Sequence, residues 1–537
     1  MTDKQGEKIL QVTNLQVIYK HNQQSINILD DLTFDLRKGE ILALLGESGS
    51  GKSTIAKAIT GLLPPSAHIA GGTLQMGSTL NADLSGKTVQ WDLIRGRGIA
   101  MLFQDAQQAL NPVLKIKENF KESLLFHRLA APDEVASIST RLLSMLGFKD
   151  ASSILECYPF QLSGGMCQRI CLALALCLKP AVLVADEPTS ALDTVSQKEV
   201  LDLLKRLQEE LGLTVLLITH DIAVANAISN RVIVLNKGVI EEEGDTRSVL
   251  SKPHAAYTRQ LLVSRSQIPR PSHDRELLKQ HNEPLLEIIQ LEKTFNRTKR
   301  VLHDVNLTLN QKEILGILGQ SGCGKSTLAK CMIGLESPSG GRVLYRGTDI
   351  SRLQGQQKRE ICKQIQLIFQ DARASLNPGR NALQLVQEPL QYLQIGSHRE
   401  REALAAFYLK EVGIVGDTQI RRPPQLSTGQ CQRIAIARAL VLKPKVLICD
   451  EAVSALDMRV QAQILALLQR LHKQFEFSIL MISHDIRVLR SFCDHIAVMN
   501  NGSFSEVKRA SELLHESKQP HTQLLLKCAG DMEEGLY

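Results

Sequence analysis

Gly46-Glu47-Ser48-Gly49-Ser50-Gly51-Lys52-Ser53-Thr54 has the spacing G-x-x-x-x-G-K-[ST]. It follows the apolar run Ile41 to Leu45 and opens the helix-like run Thr54 to Thr60. A strand, a glycine-rich loop and a helix in that order form an anion cradle. The glycines let successive backbone N–H groups converge on one point, and the helix N-terminus adds partial positive charge. Lys52 is placed to reach the β- and γ-phosphates of a bound nucleotide, and the Ser53 hydroxyl to ligate Mg²⁺. A chance glycine-rich turn would not need the flanking strand and helix. The stretch also occurs twice: Gly319-Gln320-Ser321-Gly322-Cys323-Gly324-Lys325-Ser326-Thr327 follows the apolar run Ile314 to Leu318.

Aligned on these loops, the chain is an internal duplication. Lys52 matches Lys325 at an offset of 273, and His220 matches His484 at an offset of 264, so the second copy is shorter between the motifs. A repeat of this length means two similar domains rather than a solenoid. The copies predict domains over 1–263 and 285–537, joined by a linker over 264–284 that contains Pro269 and Pro271 and shows no periodicity. In the first copy, Leu10 to Tyr19 alternates apolar and polar and predicts an edge strand. Ile28 to Leu36 alternates likewise. Pro64-Pro65 and Gly71-Gly72 predict loops around short strands. Residues 117–149 carry helical periodicity, with an apolar stripe of Leu124, Leu125, Leu129, Leu142, Leu143 and Leu146. Ala181 to Ala185 and Thr214 to Ile218 are short continuous apolar runs, which suit strands of a parallel sheet covered on both faces. The pattern restarts with Leu285 to Leu291 and Val301 to Leu309. The fold class is therefore α/β, and the tail 531–537 is expected to fray.

Composition removes other classes. No run approaches the ~20 apolar residues needed to cross a bilayer, and the N-terminus lacks the apolar core of a secretory signal. The expectation is a cytosolic protein that can dock on membrane partners. The formal charge of +7 is mild for 537 residues and makes no case for nucleic-acid binding. A single Trp and few aromatics offer no stacking platform for bases. Eleven cysteines include no C-x-x-C pair. Cys167 and Cys171 are four apart, yet nothing completes a zinc spacing, so buried, reduced thiols are expected.

Further motifs surround each loop. Val182 to Glu187 and Val446 to Glu451 are apolar runs ending in two carboxylates. Asp186 and Asp450 are placed to hold Mg²⁺ through its water shell, and Glu187 and Glu451 to polarise a water for attack on the γ-phosphate. Thr219-His220-Asp221 and Ser483-His484-Asp485 end later strands. The Glu-to-His separation is 33 residues in the first copy and also in the second. A lone histidine is usually structural, but this repeated spacing marks His220 and His484 as γ-phosphate contacts. Gln104 and Gln370 end apolar runs as neutral amides suited to Mg²⁺ or the attacking water. Leu162-Ser163-Gly164-Gly165-Met166 and Leu426-Ser427-Thr428-Gly429-Gln430 each open a helix and offer a second anion site.

This ordered set resembles the ATP-binding-cassette ATPases, with Walker A, Q-loop, signature, Walker B, D-loop (Ser190 to Asp193 and Ser454 to Asp457) and H-loop all present twice. The resemblance covers nearly the whole chain. It implies two cassettes, each with a mainly parallel sheet core, an antiparallel β subdomain and an α-helical subdomain. It also implies ATP hydrolysis with Mg²⁺, and cassettes that pair head to tail within the chain so that each signature faces the other Walker A. Thr428 replaces the family's first signature glycine, and a Cβ there is expected to restrict the backbone and to crowd a phosphate. Tyr19 and Phe295 fall where the family has an adenine-stacking aromatic, and are equally placed to be half-buried strand residues.

Finer details resemble peptide and nickel importers. These are the extended Q-loops Phe103 to Pro112 and Phe369 to Pro378, Pro253 to Leu262 after the first cassette, and the weaker echo Pro520 to Leu526. Tyr158 to Met166 resembles the first cassette of nickel and metallophore importers; Gly334 to Pro338, Arg422 to Leu426 and Asp450 to Ser454 resemble their second. The chain looks like two such subunits fused. The resemblance implies a peripheral motor on the cytoplasmic face of the inner membrane, partnered by two transmembrane permease subunits and an extracytoplasmic substrate-binding protein. Residues 104–160 and 370–425 would then grip the permeases. Ser264 to Pro284 contains no cysteine, unlike many oligopeptide-importer cassettes, which argues against an iron–sulfur cofactor. The other class considered is a soluble twin-cassette ATPase acting on ribosomes. Those typically carry a long, charged, helical linker, which the prolines here oppose. Whether the cargo is nickel, a metal chelate or a peptide is not written in cassettes that never touch it.

Overall fold

The computed structural model describes residues 6–21, 24–77, 80–86, 89–190, 192–266, 283–296, 298–454 and 456–533. The chain divides into two compact units, Met1–Val263 with Gly530–Tyr537, and Ser264–Ala529. The first unit's last helix, Ala256–Ser266, enters the expected linker, and the second unit's first strand, Pro284–Phe295, begins at its end. Most of the expected linker, and the last residues of the expected frayed tail, lie outside the described residues.

Each unit is an α/β cassette with two sheets. In the first, a six-stranded sheet runs in the spatial order Val239–Asp245, Arg231–Asn236, Ile41–Leu45, Thr214–Thr219, Val182–Asp186, Ile99–Leu102. All neighbours are parallel except the first pair. The three central apolar runs are buried along their whole length, as strands covered on both faces must be. The second unit repeats the order with Ile314–Leu318, Val446–Asp450 and Ser478–Ser483 at the centre.

A four-stranded antiparallel sheet lies beside each core sheet, and here two expectations fail. The strand Lys8–His21 is not at an edge: it pairs with Gln24–Arg37 on one side and Ala67–Met76 on the other. Its alternation reflects one buried and one open face, a property that an inner antiparallel strand shares with an edge strand. Gly71-Gly72 is not a loop but the middle of Ala67–Met76. The partner strand bulges around Asn14 and Leu15, and a Cβ on Gly72 would stand 2.8 Å from the Leu15 Cα. The glycines admit that bulge instead of ending the strand.

The helical subdomain of the first cassette contains Ile116–Phe126, Val135–Met145, Ala151–Leu155 and Gly164–Cys177. The periodicity over 117–149 thus belongs to two helices. Arg128 in the left-handed region breaks it, while Leu124, Leu125, Leu129 and Leu142 still share one small apolar cluster. The long helices Thr194–Leu211 and Met458–Phe475 follow the D-loops. Asp193 and Asp457 cap them, accepting from the backbone N–H groups of Ser196 and Val460. Leu201, Leu204 and Leu207 in one, and Ile464, Leu468 and Leu471 in the other, recur at helical spacing on the buried side.

Candidate functional site

The first phosphate loop is shaped by three glycines with different tasks. A Cβ on Gly46 would lie 2.3 Å from the carbonyl oxygen of Leu235, so only glycine lets the loop leave its strand there. Gly49 and Gly51 adopt φ of 83° and 105°, in the left-handed region that glycine tolerates. The helix Lys52–Ile59 then starts with its first N–H groups turned back toward the loop. Lys52 is buried, and its Nζ donates to the carbonyls of Gly46 and Glu47, each at 2.8 Å. The second loop repeats this: Lys325 Nζ donates to Gly319 at 2.8 Å and Gln320 at 2.9 Å.

Beyond each loop stand a hydroxyl and a carboxylate. Ser53 Oγ donates to Asp186 Oδ1 at 3.0 Å, and Ser326 Oγ to Asp450 Oδ1 at 3.2 Å. Burial pushes the pKa of both aspartates up; the serine hydrogen bond and nearby lysines oppose this, and the neighbouring glutamate adds to it. A buried carboxylate with so little compensation is suited to a cation. Hydroxyl and carboxylate oxygens are hard donors of the kind Mg²⁺ takes. No cluster of three or more acidic, His or Cys ligands is found among the described residues.

Glu187 and Glu451 sit one residue further on, with φ of 46° and 47°. Non-glycine residues in that region are strained, and such strain gathers where geometry matters for function. The conformation is locked by backbone bonds from Glu187 to Ile218 and from Glu451 to Ile482. In the first cassette Gln104 Nε2 donates to Glu187 Oε2 at 2.8 Å, and His220 Nδ1 lies 2.8 Å from Oε1. In the second, Gln370 Nε2 donates to Glu451 Oε2 at 2.9 Å, His484 Nδ1 is 3.5 Å from Oε2, and Lys325 Nζ is 3.6 Å from Oε1. Burial alone would raise both glutamates, but the histidine bond and the histidine and lysine charges outweigh it, so both pKa values fall. The structure therefore joins Gln104, Glu187 and His220 in one hydrogen-bonded group, and Ser53 and Asp186 in a second.

The signature serines Ser163 and Ser427 cap the helices Gly164–Cys177 and Thr428–Leu440, accepting from the N–H groups of Met166 and Gln430. The two glycines that follow differ. A Cβ on Gly164 would meet only the Leu192 side chain at 3.6 Å, so the backbone restriction expected of Thr428, at the same position, does not arise: an ordinary helical first residue fits. A Cβ on Gly165 would lie 3.3 Å from Ser196, and one on Gly429 2.7 Å from Val460 Cγ1. It is the second glycine that packing demands. Tyr19 is half-buried and packs against the core, and Phe295 is half-buried with Lys293 Nζ 4.7 Å from its ring centroid.

Two residues near these sites escape sequence reasoning. Tyr257 Oη accepts from the Glu47 N–H at 3.3 Å, across 210 positions. Arg487 pairs with Asp485, next to His484, through Nε at 2.9 Å and Nη2 at 2.8 Å, where the first copy has Ala223. That substitution between the copies is visible in the sequence, but nothing there shows what it contacts.

Comparison with known proteins bears on these sites. A family described as "ABC transporter" matches residues 29–190 and 302–454. The glutathione import ATP-binding protein GsiA of Escherichia coli (strain K12) is 36% identical over 557 residues, covering 96% of this chain and 89% of that protein. The protein of the same name from Shigella sonnei (strain Ss046) has the same identity and coverage. A solved dimeric structure of an ATP-binding cassette bound to ADP and Pi has 30% identity, covers 42% of this chain and 99% of its own, and gives a TM-score of 0.39.

Proposed function

The chain belongs to the ABC transporter ATPases, which bind and hydrolyse ATP, and from that premise we propose that it is the two-cassette motor of a membrane importer for short peptides. The observation that carries the hydrolytic part is the carboxylate of Glu187, gripped by Gln104 and His220, and its repeat at Glu451. A lowered pKa keeps these glutamates ionised at neutral pH, as a proton acceptor for water must be. His220 fixes the carboxylate's orientation from one side and Gln104 from the other. Lys52 and Lys325 turn from backbone carbonyls to phosphate oxygens, and the loop N–H groups cradle the same phosphates. Ser53 with Asp186, and Ser326 with Asp450, would hold Mg²⁺, with Gln104 and Gln370 within the same region. The ion would neutralise charge developing on the phosphates.

The importing part rests on the relatives, whose name is that of a glutathione import protein over nearly the whole chain. That supports a peptide about the size of glutathione as cargo, ahead of the nickel or metal-chelate cargo which the motif resemblance alone leaves open. The same relatives give no support to the ribosomal alternative. No helix among the described residues is long and apolar enough to cross a membrane, so membrane-spanning partners would supply the pathway. A cavity of about 290 Å³ lies beside the first Q-loop, lined by Phe103, Ala109, His127 and Leu174 among others. Val113, Phe126 and Phe160 are also exposed nearby in sequence, as are Tyr392 and Ile420 in the second cassette. Exposed apolar groups of this kind suit permease helices.

The test is purification of the full chain from membranes, followed by uptake of labelled glutathione into vesicles. Co-purification of two polytopic proteins with ATP-dependent uptake supports the proposal. Stable co-sedimentation with ribosomes, with no membrane partner, would sink it.

A further inference from the structure

The helix Ala256–Ser266 is the last element of the first cassette, and its Tyr257 reaches back to the phosphate loop. The helix is anchored at its start by Glu242, on the strand Val239–Asp245, whose carboxylate accepts from the N–H groups of His254 and Ala255 at 2.8 and 3.1 Å. Thr258 is fully buried and Leu261 nearly so, which fixes the side the helix turns inward. From there the Tyr257 hydroxyl accepts from Glu47 N–H. Residue Glu47 is thus held at both its backbone N–H and its carbonyl, because the carbonyl takes the Lys52 Nζ bond at 2.8 Å.

The second cassette builds the same helix without this brace. Thr522 and Leu525, in Pro520–Glu533, are buried like Thr258 and Leu261, which places His521 where Tyr257 stands. His521 Nε2 is buried without a hydrogen-bond partner, and no hydrogen bond joins His521 to Gln320 among the described residues. The carboxylate matching Glu242 is Glu506, which accepts from Ser517 Oγ.

We propose that Tyr257 is a positioning residue for the first ATP site, presetting the Glu47 peptide on which Lys52 rests. It makes the two phosphate loops unequal for a reason independent of the signature segments. The inference rests on the reading that Gly46 to Thr54 holds ATP phosphates. A loop already held in its binding conformation loses less freedom when the ligand arrives, so the brace favours affinity.

The test is equilibrium binding of a fluorescent ATP analogue with Mg²⁺ to the full chain, resolved into two sites. Tyr257→Phe should weaken one site by about 2- to 10-fold, the range expected for one hydrogen bond, and leave the other unchanged. The unfolding midpoint without nucleotide should fall by no more than the loss of that one hydrogen bond allows; a larger fall would mark general packing and overturn the inference. Lys52→Ala should weaken the same site, and His521→Phe should weaken neither. If Lys52→Ala lowers affinity and Tyr257→Phe does not, the brace is wrong while the phosphate-loop reading stands. If Lys52→Ala has no effect, both fall. If His521→Phe matches Tyr257→Phe, helix packing and not the hydroxyl is responsible, and the inference is overturned.

Discussion

Nδ1 of His220 lies 2.8 Å from Oε1 of Glu187, at the end of a buried strand and in a residue whose φ is 46°. The carboxylate's other oxygen takes the Gln104 amide, so both of its oxygens are committed before any water arrives. A carboxylate held in this way is an oriented base. Replacing Glu187 and Glu451 together by Gln keeps the shape and most hydrogen bonds but removes proton-accepting power. Turnover should fall by about 100-fold or more, with ATP binding retained, as measured by phosphate release and nucleotide binding on the same preparation. Hydrolysis near the unsubstituted rate would take these glutamates out of the base role.

The same pair sets a pH dependence. Burial alone would lower the His220 pKa, but the Glu187 hydrogen bond and the charges of Glu187 and Asp221 raise it above 6.5. Glu187 is shifted oppositely, below 4.5. A raised histidine gives stability that is full below its unfolded value and lost as pH climbs through the folded one. A lowered glutamate gives stability that is full above its unfolded value and lost as pH falls through the folded one. The pair therefore stabilises most between pH 4.5 and 6.5. The unfolding midpoint of the unsubstituted chain minus that of His220→Gln should be largest near about pH 5.5 and shrink toward about pH 9. A difference that stays constant across that range would mean the pair is not ionised.

The loops and the strands that end in Asp-Glu and His were legible because each is local: a glycine at a forced turn, a continuous apolar run. Lys8–His21 was misplaced because alternation reports burial of one face and not the number of neighbours. Gly71-Gly72 misled because a glycine pair that admits a bulge looks like one that ends a strand. The Tyr257 bond to Glu47 was beyond reach for a different reason. Pro253 to Leu262 reads as a unit in the sequence, but a contact spanning 210 positions has no periodicity to announce it. The direct hydrogen bonds of Gln104 and His220 to Glu187 are of the same kind, although the motifs already assign all three to one phosphate site.

The signature glycines give a prediction about packing. Gly429→Ala places a Cβ 2.7 Å from Val460 Cγ1, whereas Gly165→Ala meets Ser196 at 3.3 Å. Overpacking of that kind costs about 1–3 kcal/mol, so Gly429→Ala should lower the denaturation midpoint more than Gly165→Ala. The Cβ of Gly164→Thr, which copies Thr428, would meet only Leu192 at 3.6 Å, and the substitution should change stability by less than about 0.5 kcal/mol. An effect of Thr428 on turnover would then not be one of folding. Unchanged ATPase and transport in Thr428→Gly would deprive that position of functional weight.

The cysteines supply a test of burial that does not depend on ATP. All eleven are free thiols, and Cys157 and Cys362 alone are half-buried. Burial pushes Cys171, Cys177 and Cys449 up to about 12, and Cys167 and Cys331 up to about 11. Since the thiolate is the nucleophile, a thiol at about 12 is ionised to about one part in ten thousand at about pH 8. Brief treatment of the native chain with a maleimide should therefore label Cys157 and Cys362, located by mass spectrometry. The remaining nine should react only after denaturation. Cys449 is the most demanding of them, because it lies inside the strand Val446–Asp450, directly before Asp450. Labelling there at the rate of Cys362 would mean that the central sheet of the second cassette opens in the native protein.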